Sequence, residues 1–440
     1  MTDKKIDDVL RRVKEEQVQF VQLWFTDLLG NLKSIEVPAS AASTALTEGV
    51  GFDGSSIHGF ARIDESDMVA CPDAETFAVL PWDRTVARVI CDIRRPGGGA
   101  YEGDPRWALK RALERAASLD LTMNVGPELE FFYLKSHDGT DGLDAAGYFD
   151  LSPPDVASEI RRDTVLAIES IGIDVEAAHH EVAPSQEEID LRHCEALRMA
   201  DHLMTCRFVI KEIARRNGIH ATFMPKPLQA QNGSGMHIHQ SLVGSDGRNA
   251  FFDPDDPFHL SSLARGYIAG IMRHAQELIG VCAQWVNSFK RLVPGFEAPV
   301  YITWARHNRS NMLRIPMYQP GKEGATRIEF RAPDPACNPY LAFAVMLHAG
   351  LEGIEREYVL PEPIEVDVYA LTDEERTAKS IESLPGSLNE AIAAMESSAL
   401  VQAALGDHIF EKFIENKRIE WDAYRSQVHR YEVERYLPVL

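Results

Sequence analysis

Cysteine, positive charge and long apolar runs are all scarce in this chain, and each shortage excludes something. The 440 residues hold six cysteines, far apart and with no Cys-x-x-Cys pair. That spacing predicts reduced, mostly buried thiols in a cytoplasmic protein. Lys and Arg number 45 against 67 Asp and Glu, a formal net charge of −22. Such a balance argues against a nucleic-acid-binding surface and leaves anionic substrates to be held by local basic groups. No stretch approaches ~20 consecutive apolar residues, so no membrane span is expected. Met1-Thr2-Asp3-Lys4-Lys5 leads into no apolar segment, so no signal peptide is expected either. Two familiar phosphate-binding signatures are missing: the Gly-x-x-x-x-Gly-Lys-Ser/Thr loop and the kinase His-Arg-Asp with Asp-Phe-Gly.

The composition that remains, 45% apolar and 25% charged, is that of a globular chain long enough for two or three domains. Ile6, Val9, Leu10 and Val13 follow helical spacing and predict an amphipathic helix over 3–15. Strand-like runs follow at 18–25, 32–37, 76–80 and 86–93. This small mixed unit runs out at Arg95-Pro96-Gly97-Gly98-Gly99, read as a linker. Asp104-Pro105, a cap followed by proline, opens a helix over 105–118. Beyond it, strand-like segments at 121–134, 173–182, 220–224, 236–243 and 326–331 alternate with helical ones at 155–171, 193–217, 259–281, 338–357 and 386–398. The stretch 401–435 reads as helical.

Four groups of residues have the chemistry of a site. Asn232-Gly233-Ser234-Gly235-Met236-His237 with His239 joins a Gly-rich turn to two histidines that share a strand face. Glu128 and Glu130, in Gly126-Pro127-Glu128-Leu129-Glu130-Phe131-Phe132, also share a face. Between apolar neighbours their mutual repulsion calls for a cation, with oxygen ligands that suit Mg²⁺ or Mn²⁺. The alternative is a solvated strand face. His179-His180-Glu181-Val182-Ala183-Pro184-Ser185-Gln186-Glu187-Glu188 adds carboxylates and, by itself, reads as a polar loop. Last comes an arginine series of Arg291, Arg309, Arg314, Arg327 and Arg331, the last two bracketing Glu329. In so acidic a protein it predicts a site for phosphate or carboxylate. Together these are the parts of metal-assisted phosphoryl transfer.

These motifs, in this order, with Asp53-Gly54-Ser55-Ser56, Glu65-Ser66-Asp67-Met68 and Asp334-Pro335-Ala336-Cys337-Asn338-Pro339-Tyr340, closely resemble glutamine synthetase of type I, the short, non-adenylylated alpha-type branch found in bacteria and archaea. The resemblance spans nearly the whole chain. It implies an α+β fold, with an N-terminal β-grasp domain (1–99) followed by a larger catalytic α/β domain (100–440) that binds ATP and glutamate. The implied reaction joins ammonia to L-glutamate through γ-glutamyl phosphate and consumes ATP.

Carried over motif by motif, the resemblance gives one divalent metal to Glu130, Glu181 and Glu188, and a second to Glu128, His237 and Glu329. It places Glu176, Phe223, His239, Ser241 and Arg327 along the nucleotide. Arg291 would meet the substrate α-carboxylate, and Asn232 and Gly233 its amino group. Arg309, Arg314 and Arg331 would stabilise phosphoryl charge. Asp53, with Ser56 and Asp67, would bind ammonium and take its proton, and Glu297 would close over the intermediate. The implied assembly is a homo-oligomer, a dodecamer of two hexameric rings, in which Asp53 completes a neighbour's site. Its tail, Tyr436-Leu437-Pro438-Val439-Leu440, would dock on the opposite ring; folding onto its own subunit is the alternative.

No tyrosine lies between Tyr369 and Tyr424, which removes the residue that the longer branch adenylylates. Control would then pass to feedback at Arg62 or to a nitrogen-signalling regulatory protein. Two rivals are a γ-glutamyl ligase for another amine, such as a polyamine, and a non-catalytic regulatory assembly. The intact ammonium-pocket residues favour ammonia, and the complete ligand sets favour an enzyme.

Overall fold

The structure, a computed structural model, describes residues 2–55, 57, 67–151, 153–306, 308 and 310–440. Its first part is a mixed sheet wrapped on a helix. The predicted amphipathic helix forms as α1 (Thr2–Glu15), with Ile6, Val9 and Val13 buried. After it come β1 (Phe20–Thr26), β2 (Leu32–Pro38), α2 (Ala42–Glu48), β3 (Val50–Asp53), β4 (Asp67–Pro72), β5 (Ala78–Val79) and β6 (Val86–Arg94). The sheet order is β2-β1-β6-β4-β3, with β5 on β6, and β1 runs parallel to β6. β3, β4 and α2 were not legible in the sequence. Gly49, Gly51 and Gly54 around Asp53 give that stretch the composition of a turn. The Arg95–Gly99 segment is a hydrogen-bonded turn and not a loose linker: Gly98 N donates to Arg95 O and Arg95 N to Gly99 O, both at 2.9 Å.

The second part is larger. Its helices are α3 (Pro105–Ala117), α4 (Ser158–Ser170), α5 (Ala196–Arg216), α6 (Ser262–Cys282), α7 (Ser288–Arg291), α8 (Pro339–Glu355), α9 (Asp373–Ala378), α10 (Leu388–Glu396), α11 (Ala399–Leu405), α12 (Asp407–Arg425) and α13 (Arg430–Tyr436). As the sequence predicted, Asp104 caps α3 by accepting from Arg106 N. Its strands are β7 (Leu121–Leu134), β8 (Val175–His180), β9 (Gln186–Leu191), β10 (Cys194–Glu195), β11 (His220–Thr222), β12 (Met236–Gly244), β13 (Trp304–Ala305), β14 (Leu313–Arg314) and β15 (Ile328–Phe330). They form one sheet in the order β13-β14-β15-β12-β7-β9-β8, with β10 and β11 added on β7. The polar loop expected between His179 and Glu188 is instead the end of β8, a short turn and the start of β9.

β7 sets the polarity of this sheet. Leu129, Phe131 and Tyr133 point to a face covered by helices and are fully buried. Glu128 and Glu130 point to the other. Behind the helices, α6 and α8 cross on glycines: a Cβ on Gly270 would lie 2.1 Å from Ala349 O, and one on Gly353 would lie 2.1 Å from Gly266 O.

Side chains of the second part hold the first. Asn338 Nδ2 donates to the carbonyls of Asp27 (3.2 Å) and Leu28 (3.1 Å), and Gln284 Nε2 to that of Leu29 (2.8 Å). Arg106 at the start of α3 bridges three carboxylates: Asp201 on α5, Asp92 on β6 and Asp73 beyond β4. Its guanidinium is buried, so removing it would leave the buried Asp201 without a cation, while Asp92 keeps Lys110 and Asp73 is partly solvated. Arg106→Met should destabilise the chain by about 3–5 kcal/mol, seen as a markedly lower midpoint in thermal or urea unfolding. A midpoint within a degree of the parent would show that the bridge contributes little.

Candidate active site

Strand register assembles the site. In the antiparallel β7–β12 pair, Glu128 stands opposite His237, and Gly126 opposite His239. On the other side of β7, Glu128 faces Asp190 and Glu130 faces Glu188 on β9. On the far side of β12, His239 faces Glu329 of β15, which in turn faces Arg314 of β14. The i, i+2 spacing seen in the sequence therefore becomes a single surface of five carboxylates and two imidazoles across four adjacent strands.

Glu128 is shared by both histidines. His237 Nδ1 lies 2.8 Å from its Oε2, and His239 Nε2 lies 2.7 Å from its Oε1. Arg327 Nε donates to His239 Nδ1 at 3.1 Å. A guanidinium only donates, so Nδ1 must accept, and His239 carries its proton on Nε2 and gives it to Glu128. Burial opposes the charge on Glu128, yet hydrogen bonds from the two imidazoles hold its carboxyl well below the usual range. Burial and the nearby Arg331 push His237 down to about 4, so it is neutral. Glu329 receives a guanidinium on each oxygen, from Arg314 and Arg331. Burial opposes its ionisation, but Arg331 keeps its pKa below the ordinary carboxylate value.

The remaining acids behave oppositely. Burial first, then Glu181, raises Glu130 to about 8. Burial and the neighbouring Glu130 and Asp190 push Glu188 strongly upward. Burial and Glu128 raise Asp190 to about 7. Burial also raises Glu181, which shares a hydrogen bond with Glu188. Alone, the protein satisfies this face only by protonating acids that would otherwise ionise. A divalent cation removes that penalty. Two buried atoms on this face, Asp190 Oδ1 and Arg331 Nε, also find no hydrogen-bond partner among the described residues. The donor set, carboxylates with one imidazole, suits a hard cation.

Two groups of potential ligand atoms lie within 4.8 Å of one another: Glu128, His237 and Glu329, and His179, Glu188 and Asp190. The first is one of the two triads that the sequence suggested. In the other triad, Glu130, Glu181 and Glu188 interact with one another but do not form so tight a group among the described residues. His179 and Asp190 were missed. The alternation Gln186, Glu188, Asp190 was their signal. His193 was missed too: it packs over Gly126, where a Cβ would lie 3.2 Å from the His193 Cβ.

The glycine loop is held from both sides. Gly235 N and Gln186 Nε2 donate to Glu130 Oε2 at 2.8 and 2.9 Å, and Gln186 also reaches Gly233 O. Beneath it lies the buried Arg291, whose guanidinium donates to the carbonyls of Arg331, Ala332 and Pro333. A Cβ on Gly235 would lie 2.5 Å from Arg291 Nη2, so only glycine fits. Asn232 Nδ2 donates to Glu297 Oε2 at 3.0 Å. Glu297 takes a positive φ of 53°, and its charge is felt by Glu181.

Other expected residues are placed differently. Ser241 continues the face of His237 and His239 along β12, and Glu176 is exposed at a bulge in β8. Phe223 does not join them. Its ring packs 5.6 Å from Phe131, on the sheet face away from Glu128. Asp53 and Asp67 stand opposite each other on β3 and β4 in the other sheet, both exposed. Asp53 Oδ1 accepts from Ser55 N at 2.8 Å. Ser56, Arg62 and Arg309 lie outside the described residues. The tail does not fold back on its own subunit: Leu437, Val439 and Leu440 are exposed.

Comparisons with known proteins identify the family. The family described as glutamine synthetase, catalytic domain, matches residues 102–436, and that described as glutamine synthetase, beta-Grasp domain, matches residues 17–96. The chain belongs to the glutamine synthetase family. It is 50% identical over 444 residues to the glutamine synthetase of Mycolicibacterium smegmatis, covering 99% of each chain. It is 49% identical over 441 residues to that of Methanosarcina mazei, covering 99% of this chain and 98% of the relative. Among solved structures, a GmaS/ADP complex matches with a TM-score of 0.89 at 34% identity, over 98% of this chain and 99% of that one. The Plasmodium falciparum glutamine synthetase matches at 0.87 and 26% identity, over 98% of each chain. As in the family, the fold is α+β, with a β-grasp domain before the catalytic one.

The turn that carries Glu181 has its own clamp. His180 Nδ1 lies 2.7 Å from Glu181 O, and Nε2 lies 3.2 Å from Asp144 Oδ1. Both partners accept, so both ring nitrogens carry protons. Burial opposes the charge, but the hydrogen bond to Asp144 raises His180 to about 9 from 6.5. A raised histidine stabilises the fold fully below its unfolded pKa, and the effect fades as the pH passes through about 9. Asp144→Asn should therefore lower the melting midpoint at pH 6, with the gap to the parent closing above pH 9. It should also weaken metal binding about 10–100-fold, measured by calorimetry at pH 7. A pH-independent gap would remove the ion pair from the account.

Proposed function

We propose that this chain is an ATP-dependent glutamate–ammonia ligase, forming glutamine, ADP and phosphate through γ-glutamyl phosphate. The observation that carries the reading is the buried carboxylate–histidine face ringed by arginines, in a chain about half identical to glutamine synthetases from end to end. Its boundary falls at residues 99 and 100, between the β-grasp and catalytic domains.

Two divalent cations, Mg²⁺ or Mn²⁺, fit the face. Glu128, His237 and Glu329 would hold one, and Glu130, Glu181 and Glu188 the other, with His179 and Asp190 bordering it. They supply the positive charge that draws the ATP phosphates and the glutamate γ-carboxylate together. Protein side chains do the rest. Arg314 and Arg331, already aimed at this face by Glu329, neutralise the equatorial phosphoryl oxygens as charge spreads, a role that Arg309 shares. His239, Ser241, Arg327 and Glu176 flank the nucleotide.

Asn232 and Gly233 take the substrate amino group. Arg291 has three donors committed to carbonyls and offers the rest of its guanidinium to the α-carboxylate. Glu297, hydrogen-bonded to Asn232, covers the acyl phosphate and excludes water, which would otherwise hydrolyse it. Asp53, with Ser56 and Asp67, binds ammonium and removes its proton, making the neutral nucleophile.

Asp53 sits on the β-grasp sheet, away from its own subunit's face, so it serves a neighbour's site. A dodecamer of two hexameric rings provides that neighbour, and the exposed apolar tail joins the rings. Cytoplasmic location, feedback through Arg62 and a nitrogen-signalling partner complete the reading.

ADP release with ammonium, set against a panel of alkylamines and polyamines, tests the reaction: turnover with glutamate and ammonium alone is expected. Glu329→Ala should lose more activity than the roughly 10–100-fold typical of an outer-shell partner, with a native circular dichroism spectrum but a lowered melting midpoint, because Arg314 and Arg331 lose their shared carboxylate. Substantial ATP-dependent turnover would unseat the metal assignment. Asp53→Ala and Arg331→Ala proteins should each be inactive, yet regain activity when co-assembled, since some sites then receive an intact residue from each parent. Mixed oligomers with no regained activity would count against a shared site.

A further inference from the structure

A second cavity lies on the other side of the catalytic sheet, behind Phe131 and Phe223. Its volume is about 750 Å³, within the roughly 300–1,000 Å³ range of small-molecule sites. α5, the segment 222–225, the segment 285–290, the β1–β2 turn and α12 enclose it. The walls are aromatic, from Phe208, Phe223, Trp285 and Tyr424, and the charged groups among them are three cations and one carboxylate.

Three cations line the cavity. Arg207 donates to the carbonyls of Pro335 (3.0 Å) and Cys337 (2.9 Å) and to the sulfur of Met204, and has no ion pair among the described residues. Lys211, four residues on along α5, has none either; its ammonium lies 5.5 Å from the Phe223 ring centroid. Lys290 donates to Tyr424 Oη at 2.7 Å. The one carboxylate in the wall, Glu420, is already engaged on both oxygens, by Val286 N at 3.0 Å and Lys417 Nζ at 2.8 Å. Burial draws the pKa of Arg207 and of Lys211 below the ordinary values, and Arg207 lowers Lys211 further. In a chain of net charge −22, three cations against one engaged carboxylate give this wall a local excess of positive charge, with Lys211 and Lys290 open to solvent and to a ligand and Arg207 partly balanced by Asp334.

We propose that this cavity binds a small planar organic anion, an aromatic or heteroaromatic ring bearing one carboxylate or phosphate. The ring lies against Phe208, Phe223 and Trp285, and the anionic end meets Lys211 and Arg207. Aromatic walls favour a flat apolar body over an inorganic ion. The adjacent guanidinium and ammonium favour a single anionic group over a neutral molecule. The cavity also touches the segment that carries the glycine loop: Pro225 O accepts from Ser234 N, and Asn287 brackets Lys226 with two hydrogen bonds. A ligand here is therefore placed to sense that loop from behind.

The test uses the assembled full-length protein, with 2-naphthoate and phenyl phosphate as probes, followed by calorimetry and Trp285 fluorescence. Saturable binding at one site per chain is expected, and saturating ADP with magnesium should leave it unchanged. Neutral 2-naphthylmethanol should bind about tenfold more weakly, as should 2-naphthoate to Lys211→Met, whereas Lys211→Arg should stay close to the parent. Inorganic phosphate alone should not compete. Displacement by ADP would place the probes in the nucleotide site and overturn the proposal. So would equal affinity for the neutral analogue, an unchanged affinity in Lys211→Met, or no saturable binding at millimolar probe. None of these outcomes depends on whether the chain makes glutamine.

Discussion

Everything in the catalytic face follows from the crowding of acids on one side of β7 and its neighbours. Sheet geometry brings Glu128 beside Asp190 and Glu130 beside Glu188 at strand-pair spacing. Nothing in the backbone forces the acids to be there; a sheet of valines would be more stable. The structure divides the burden in two. Glu128 and Glu329 stay charged, because imidazoles and guanidiniums donate to them. Glu130, Glu188 and Asp190 are left short of partners, and the protein carries an unmet demand for positive charge. The first group fixes the geometry, and the second supplies affinity for cations.

The same division explains the glycines. A loop that must pass between Glu130 and the Arg291 guanidinium has no room for a Cβ at 233 or 235. The loop is thereby held against charged groups, and its amides become part of the electrostatics: Gly235 N is itself a donor to Glu130. Binding, positioning and charge balance are done here by the same few atoms.

How much of this was legible beforehand depends on period. Glu128 with Glu130 and His237 with His239 announced themselves, because residues two apart on a strand share a face. β9 kept the same rhythm in Gln186, Glu188 and Asp190. Glutamates are poor strand formers by composition, and the Ala183-Pro184-Ser185 turn just before them reads as loop. β3 was hidden by its glycines. Phe223 could not be sided from the sequence, since which face a residue in a three-residue strand's wake presents is settled by its neighbours. The tautomer of His239 needed the Arg327 contact, which spans 88 residues of chain. Asp53 points to a different limit: it stands exposed on the β-grasp sheet, and a single chain does not display what it meets.

The β1–β2 turn meets the catalytic part through its main chain. Asn338 and Gln284 reach the carbonyls of Asp27, Leu28 and Leu29, an acceptor that every residue type offers equally. These carbonyl contacts ignore side-chain identity, but two of the same residues are fixed in other ways: Leu28 is fully buried in the core of the catalytic part, and the buried Asp27 accepts from Leu29 N and Asn31 N. Gly30 is different: it takes φ +83° and presses on Asn338, where a Cβ would lie 3.1 Å from Cα. Three neighbours in the turn are therefore constrained for three different reasons, Asp27 by its turn, Leu28 by packing and Gly30 by close approach, so over evolutionary time drift at this seam has little room and the relative pose of the two domains is inherited with it.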